Sequence, residues 1–169
     1  MAIGTSAVCG SFKEQALAGM HFWTAHSRGD SSAISADTFK VAMFTDSATI
    51  DQDTTGYTAS NEVSGTAYSA GGAALGSVTL GMSDNSGGTT TAFLDFADTT
   101  WSTSTISSAM GALIYNSTLS GASTGSTTTA DAYPSVAMYD FVTAKSSSAG
   151  DFTIQWPADG ANTAAIRIS

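Results

Sequence analysis

The sequence predicts a mainly β protein, a single-domain antiparallel β-sandwich or jelly-roll-like barrel with one N-terminal helix. Three observations predict it. Between Tyr133 and Pro157, Val136 and Met138 and then Phe152, Ile154 and Trp156 alternate with small or polar residues; a period of two places such residues on one face of a strand. Shorter runs of the same kind recur from Phe39 onward, separated by Ser, Thr, Gly and Asp clusters that read as turns. Only one segment, near the N-terminus, carries apolar residues at helical spacing. A length of 169 residues suits one domain, and a hydrophobic content of 42% supplies a core.

Taken in order, residues 1–10 read as an extended arm and residues 11–169 as the β domain. Residues 11–24 are the expected helix, with Phe12, Ala16, Leu17, Met20 and Trp23 on one face. Ser11 and Glu14 have the spacing of a capping box. Residues 27–37, with Arg28-Gly29-Asp30, read as a loop and turn. Phe39-Lys-Val-Ala-Met-Phe-Thr45 is the first strand. Residues 46–74 are polar, and a loop of that length without internal structure is unusual in a domain, so short strands are expected around Tyr57 and Tyr68. Strands are expected next at 77–82, with Val78, Leu80 and Met82 inward, and at 91–96, after a turn at 84–88. Further strands are expected at 101–106, at the apolar run 109–115, on either side of a Ser-rich loop at 142–150, and at 165–168. Residues 117–132 are a Ser/Thr/Gly loop or insertion. The expected core is Phe39, Val41, Val78, Leu80, Leu94, Phe96, Leu113, Val136, Met138, Phe152, Ile154 and Trp156.

Charged residues make up only 11% of the chain, against ~25% in ordinary soluble domains. Five basic residues stand against fourteen acidic ones, for a net charge of −9. That balance excludes nucleic acid and anionic membrane surfaces as partners, because few cations are available to meet phosphates. A single cysteine, Cys9, forms no internal disulfide and reads as a small buried hydrophobe. The N-terminal residues lack the basic and apolar regions of a secretory signal, and no stretch approaches the ~20 apolar residues of a membrane helix. The expectation is a protein made in a cytoplasm.

No pattern argues for an enzyme or a cofactor. Asp51, Asp53 and Glu62 occupy the first, third and twelfth positions of an EF-hand-like calcium loop with Gly56 at the sixth. Thr55 departs from the pattern, and the flanking segments read as strand and loop rather than helix, so a chance match in an acidic loop is the preferred reading. His21 and His26 are five apart, which is not a helical ligand spacing. A phosphate-binding Gly loop does not occur. The expectation is no catalytic residue and no metal. Partner-binding candidates are Phe12, Met20, Phe22 and Trp23 on the helix, together with the arm and any open sheet edge. The competing expectation is that the helix caps its own β-core.

Several segments occur together in a fixed order: Phe39-Lys-Val-Ala-Met-Phe-Thr45, Asn61-Glu-Val-Ser-Gly65 with Gly71-Gly72, Phe93-Leu-Asp-Phe-Ala-Asp98 with Trp101, Gly111-Ala-Leu-Ile-Tyr-Asn116, and Gly150-Asp-Phe-Thr-Ile-Gln-Trp-Pro157. From residue 11 to the end, this order resembles small virion structural proteins of tailed bacteriophages, cyanophages among them. The segments are structural rather than catalytic. The resemblance implies a non-enzymatic virion protein, in first place a capsid cement (decoration) protein. Such a protein would form a homotrimer on the outer capsid surface, with the major capsid protein as its partner. The alternative within the class is a neck, tail or fibre component, including a carbohydrate-binding receptor-binding protein. Residues 117–132 have no place in the family pattern.

Overall fold

The computed structural model describes residues 3–27, 33–84, 90–120, 132–157 and 163–168. Arg28-Gly29-Asp30, most of the turn at 84–88 and most of the 117–132 segment lie outside the described residues. The elements are β1 (Ala7–Val8), α1 (Gly10–Leu17), β2 (His26–Ser27), β3 (Ala33–Ile34), β4 (Phe39–Phe44), β5 (Gly65–Thr66), β6 (Ala73–Ala74), β7 (Thr79–Asp84), β8 (Thr90–Asp95), β9 (Thr99–Asn116), β10 (Ser135–Ile154) and β11 (Ile166–Ile168). The protein is mainly β, its sheets antiparallel and its architecture sandwich-like, with one helix among the described residues. One sheet has the order β1-β10-β9-β4-β6 with β5 also on β9, a second the order β11-β8-β7, and a third pairs β2 with β3. The chain groups into two compact units, Met1–Ala74 with Trp101–Phe152, and Leu75–Thr100 with Thr153–Ser169.

In the first unit β4 lies between β9 and β6, in register from Phe39↔Asn116 to Phe44↔Gly111. Ala42 and Phe44 are as buried as Val41 and Met43, so β4 is covered on both faces and is the centre of the core. The segment expected to be an extended arm is woven into this unit. Ile3 is buried, Gly4 N donates to Ile50 O (2.9 Å), β1 pairs with β10, and Gly10 N donates to Gln52 O (2.8 Å). Gly111 makes room for it, since a Cβ there would lie 2.8 Å from Ile3 Cγ2.

The helix is shorter than its periodicity suggests. It ends at Leu17, where Met20 N donates to Gln15 O (3.0 Å) and Gly19 N to Ala16 O (3.1 Å), with Gly19 at φ 70°. This is a Schellman stop, and the left-handed glycine that makes it costs little because it has no Cβ. Met20 and Trp23 therefore lie beyond the helix. The expected capping box does not form: Cys9 is the N-cap without a side-chain bond, and Ser11 Oγ is buried without a partner. Phe12 and Gln15 are the buried positions, while Leu17, expected on the apolar face, is 93% exposed.

Residues 101–106 and 109–115 belong to one strand, β9, and the expected loop 142–150 is the middle of β10. Buried positions in the first part of β9 are Thr99, Trp101, Ser104, Ile106 and Ala109. Thr103 and Ser108 have φ of 52° and 58°, and each shifts the alternation by one residue, as a β-bulge does. Val142 and Ala149 in β10 have φ of 64° and 48°. Serine side chains bond across this ribbon: Ser104 Oγ lies 2.7 Å from Ser147 Oγ, Ile106 N donates to Ser147 Oγ (3.1 Å), and Ser108 N donates to Ser146 Oγ (3.1 Å). A Ser-rich sequence here is thus compatible with strand.

In the second unit β8 is central, with Leu80↔Leu94↔Ile166 and Met82↔Ala92↔Ile168 as successive rows across one face. Leu94, Phe96, Ile154, Trp156 and Ile166 are buried, as expected of the first four. Trp156 meets Phe96 edge-on at 5.5 Å, and its Nε1 donates to Thr99 Oγ1 (3.3 Å). Leu80 and Met82 depart from the expected inward set at 57% and 73% exposure, and Val78 is half-buried. Alternation correctly gave them a shared face, but that face is covered only at its Leu94–Ile166 part.

Candidate interaction surface

The four partner-binding candidates are packed within the first unit to different degrees. Phe12 is buried, and its ring lies 5.0 Å from that of His21 and 6.2 Å from that of Trp23. Trp23 is half-buried and stacks on Phe39 at 3.5 Å, while Phe22 is half-buried against His26 at 4.9 Å. Met20 is half-buried just past the helix stop. Phe12, Trp23 and Phe39 form one aromatic group.

The structure gives the three calcium-loop candidates separate duties. Asp51 Oδ1 accepts from Asp53 N (2.9 Å), closing an Asx turn. Glu62 is held elsewhere, its Oε2 accepting from Tyr57 OH (2.6 Å) and its Oε1 from Tyr68 OH (2.6 Å) and Gly71 N (2.8 Å). Tyr115 OH donates to Gly71 O (2.8 Å), Met43 N donates to Tyr68 OH (2.8 Å), and Tyr57 stacks on Tyr115 at 4.4 Å. Burial and then the bonds to Glu62 push the Tyr57 and Tyr68 hydroxyls well above the ordinary tyrosine range. Burial and the Glu62 charge push Tyr115 up to about 12. Gly72, at φ 65°, lets this loop lie against β4, for a Cβ would fall 1.9 Å from Val41 O. This knot fastens the long polar loop to the central strand. Among the described residues no group of three or more His, Cys, Asp or Glu is placed to hold a metal. Cys9 is buried, and burial raises its thiol above the usual range.

The second unit presents a different surface. Met82, Leu80 and Ile168 stand on one face of β7-β8-β11, with Ala92 between Met82 and Ile168, and Ile168 is 62% exposed. Their side chains carry no charge, so the face offers dispersion and apolar burial, each large side chain contributing about 1.5–3 kcal/mol if fully covered. Opposite them on β8, Thr91 Oγ1 and Asp95 Oδ1 are buried without a hydrogen-bond partner. A cleft of about 390 Å³ runs past Thr79, Asp95, Asp98 and Trp156. Trp156 is buried against Phe96, so it offers no open ring face on which a sugar could stack. Sequence alternation identified Leu80 and Met82 as a set, but a period of two does not say whether a face meets the core or the outside. Among the described residues no helix is long and apolar enough to cross a membrane.

Comparisons with protein-family models, with curated proteins and with solved structures find no match to this chain.

Proposed function

We propose that this chain is a non-enzymatic structural protein of a tailed-phage particle, a cement protein that binds the major capsid protein on the outer capsid surface and assembles there as a homotrimer. The observation that carries the reading is the uncovered apolar face of Leu80, Met82 and Ile168 on a small sheet. Contiguous exposed apolar residues of this kind mark interaction sites. With charged residues at 11% of the chain, adhesion draws on such apolar contact rather than on surface ion pairs, which contribute only about 0–1 kcal/mol each. The ordered segments that resemble virion proteins support the same reading. Their alternative, a neck, tail or fibre component, predicts a different stoichiometry. Quantitative mass spectrometry of purified particles tests the choice. A copy number approaching that of the major capsid protein is expected. A few dozen copies or fewer would move the chain to the neck, tail or fibre class, and absence from particles would sink the virion reading.

A further inference from the structure

His21 is held by groups that accept only its neutral form. Asn116 Oδ1 accepts from Thr118 N (3.0 Å) and Leu119 N (3.3 Å), which fixes the orientation of its amide. Asn116 Nδ2 then faces Asp37 Oδ2 at 2.8 Å and His21 Nδ1 at 3.2 Å. An amide nitrogen only donates, so His21 Nδ1 must accept and carry no proton. The ring proton is on Nε2, which donates to Gln15 Oε1 (2.9 Å). Asp37 Oδ2 also accepts from Phe22 N (3.0 Å), so one chain of bonds ties α1, the Met20–Trp23 stretch, the approach to β4 and the end of β9.

We propose that His21 is the pin of an acid-released clasp: the neutral ring locks residues 20–24 over the aromatic group of Phe12 and Phe39, and protonation of Nδ1 releases them. A proton on Nδ1 would set one donor against another, the Asn116 amide. The groups that face the ring are Gln15 and Phe12 from α1, Phe39 from β4, Asn116 from β9 and Asp37 from the segment before β4. Asp37 is the charged one; its attraction favours the protonated ring, but burial outweighs it and brings His21 down to about 4. A depressed folded-state value means stability that is complete above the ordinary 6.5 and lost as pH falls through about 4. Opening would uncover Trp23, Phe12 and Phe39, an aromatic surface that neutral pH keeps closed.

The test tracks the His21 ring by NMR from pH 7.5 to 3.5 in the intact protein, with amide exchange at residues 20–24 measured in parallel. The expected result is a ring midpoint near about 4, with Trp23 signals changing in step. After correction for intrinsic exchange, opening of residues 20–24 should rise roughly a hundredfold between pH 7 and pH 4, the ratio of proton binding by open and closed rings. In His21→Gln, which has no titrating ring, the rise should vanish. A midpoint at the ordinary histidine value, Trp23 signals that ignore the titration, or an undiminished rise in His21→Gln would each overturn the proposal. The ring titration decides the matter even where the variant folds poorly.

Discussion

The tyrosine knot of the first unit and the small sheet of the second treat their side chains in opposite ways. Around Glu62, both carboxylate oxygens, two tyrosyl hydroxyls and the Gly71 amide are joined, and the strand they are fastened to is buried on both faces. On β7-β8-β11, three large apolar side chains face outward while a threonine hydroxyl and a carboxylate oxygen are buried without partners. The first region is completed by its own contacts. The second keeps apolar area in reserve, and its folding alone does not use it. Under the proposed role in a particle, stability before assembly and adhesion during it would be divided between the two regions in this way.

Four substitutions test that contrast, in falling order of effect. Met43→Ala empties a fully buried site in β4, and urea unfolding should show a loss of about 2–5 kcal/mol. A loss below about 1 kcal/mol would remove β4 from the centre of the core. Glu62→Ala leaves the tyrosyl hydroxyls and the Gly71 amide without their acceptor and should cost about 2–3 kcal/mol. The same knot should weaken in alkali. Tyr57, Tyr68 and Tyr115 are raised in the folded state, so their contribution is complete below pH 10 and is lost above it as the unfolded chain ionises first. A melting temperature level from pH 9 to pH 11.5 would contradict this.

The remaining two act on the second unit. Thr91→Val replaces an unpartnered buried hydroxyl with a methyl group of similar shape, and should stabilise by about 1 kcal/mol. Destabilisation would mean that the hydroxyl is satisfied in solution, for instance by a bound water. Met82→Ser, at an exposed position, should change stability by no more than about 0.5 kcal/mol. It should nevertheless reduce incorporation into particles if the face is an assembly surface. A large stability loss with unchanged incorporation would reverse the roles assigned to the two regions.

The fold was legible where local pattern and tertiary setting agree. Phe152, Ile154 and Trp156 alternate with exposed residues and are all buried, and β4 begins at the expected Phe39. The helix stops short of its apolar spacing, which runs from Phe12 to Trp23, because the left-handed conformation of Gly19 ends it whichever residues lie beyond. Ser146 and Ser147 read as loop because serine disfavours neither state strongly. Their role depends on β9 backbone groups some forty residues away. The knot was the least legible feature. Glu62 stands out in the sequence for its place in a metal-loop pattern, whereas its partners Tyr57, Tyr68 and Gly71 are named only by the folded loop. The exposed face was half legible, its membership given by alternation and its exposure by what the sheet leaves uncovered.

The left-handed residues Thr103 and Ser108 have an evolutionary consequence. Each absorbs one residue between inward positions, so deleting either would leave Trp101, Ser104, Ile106 and Ala109 facing as they do now. In an ordinary strand a one-residue deletion turns every later side chain to the wrong face. In this ribbon, single-residue changes of length at the bulges preserve the inward set. Length variation among descendants of this chain should therefore collect at these positions, in the middle of a strand, where alignments normally place no gaps.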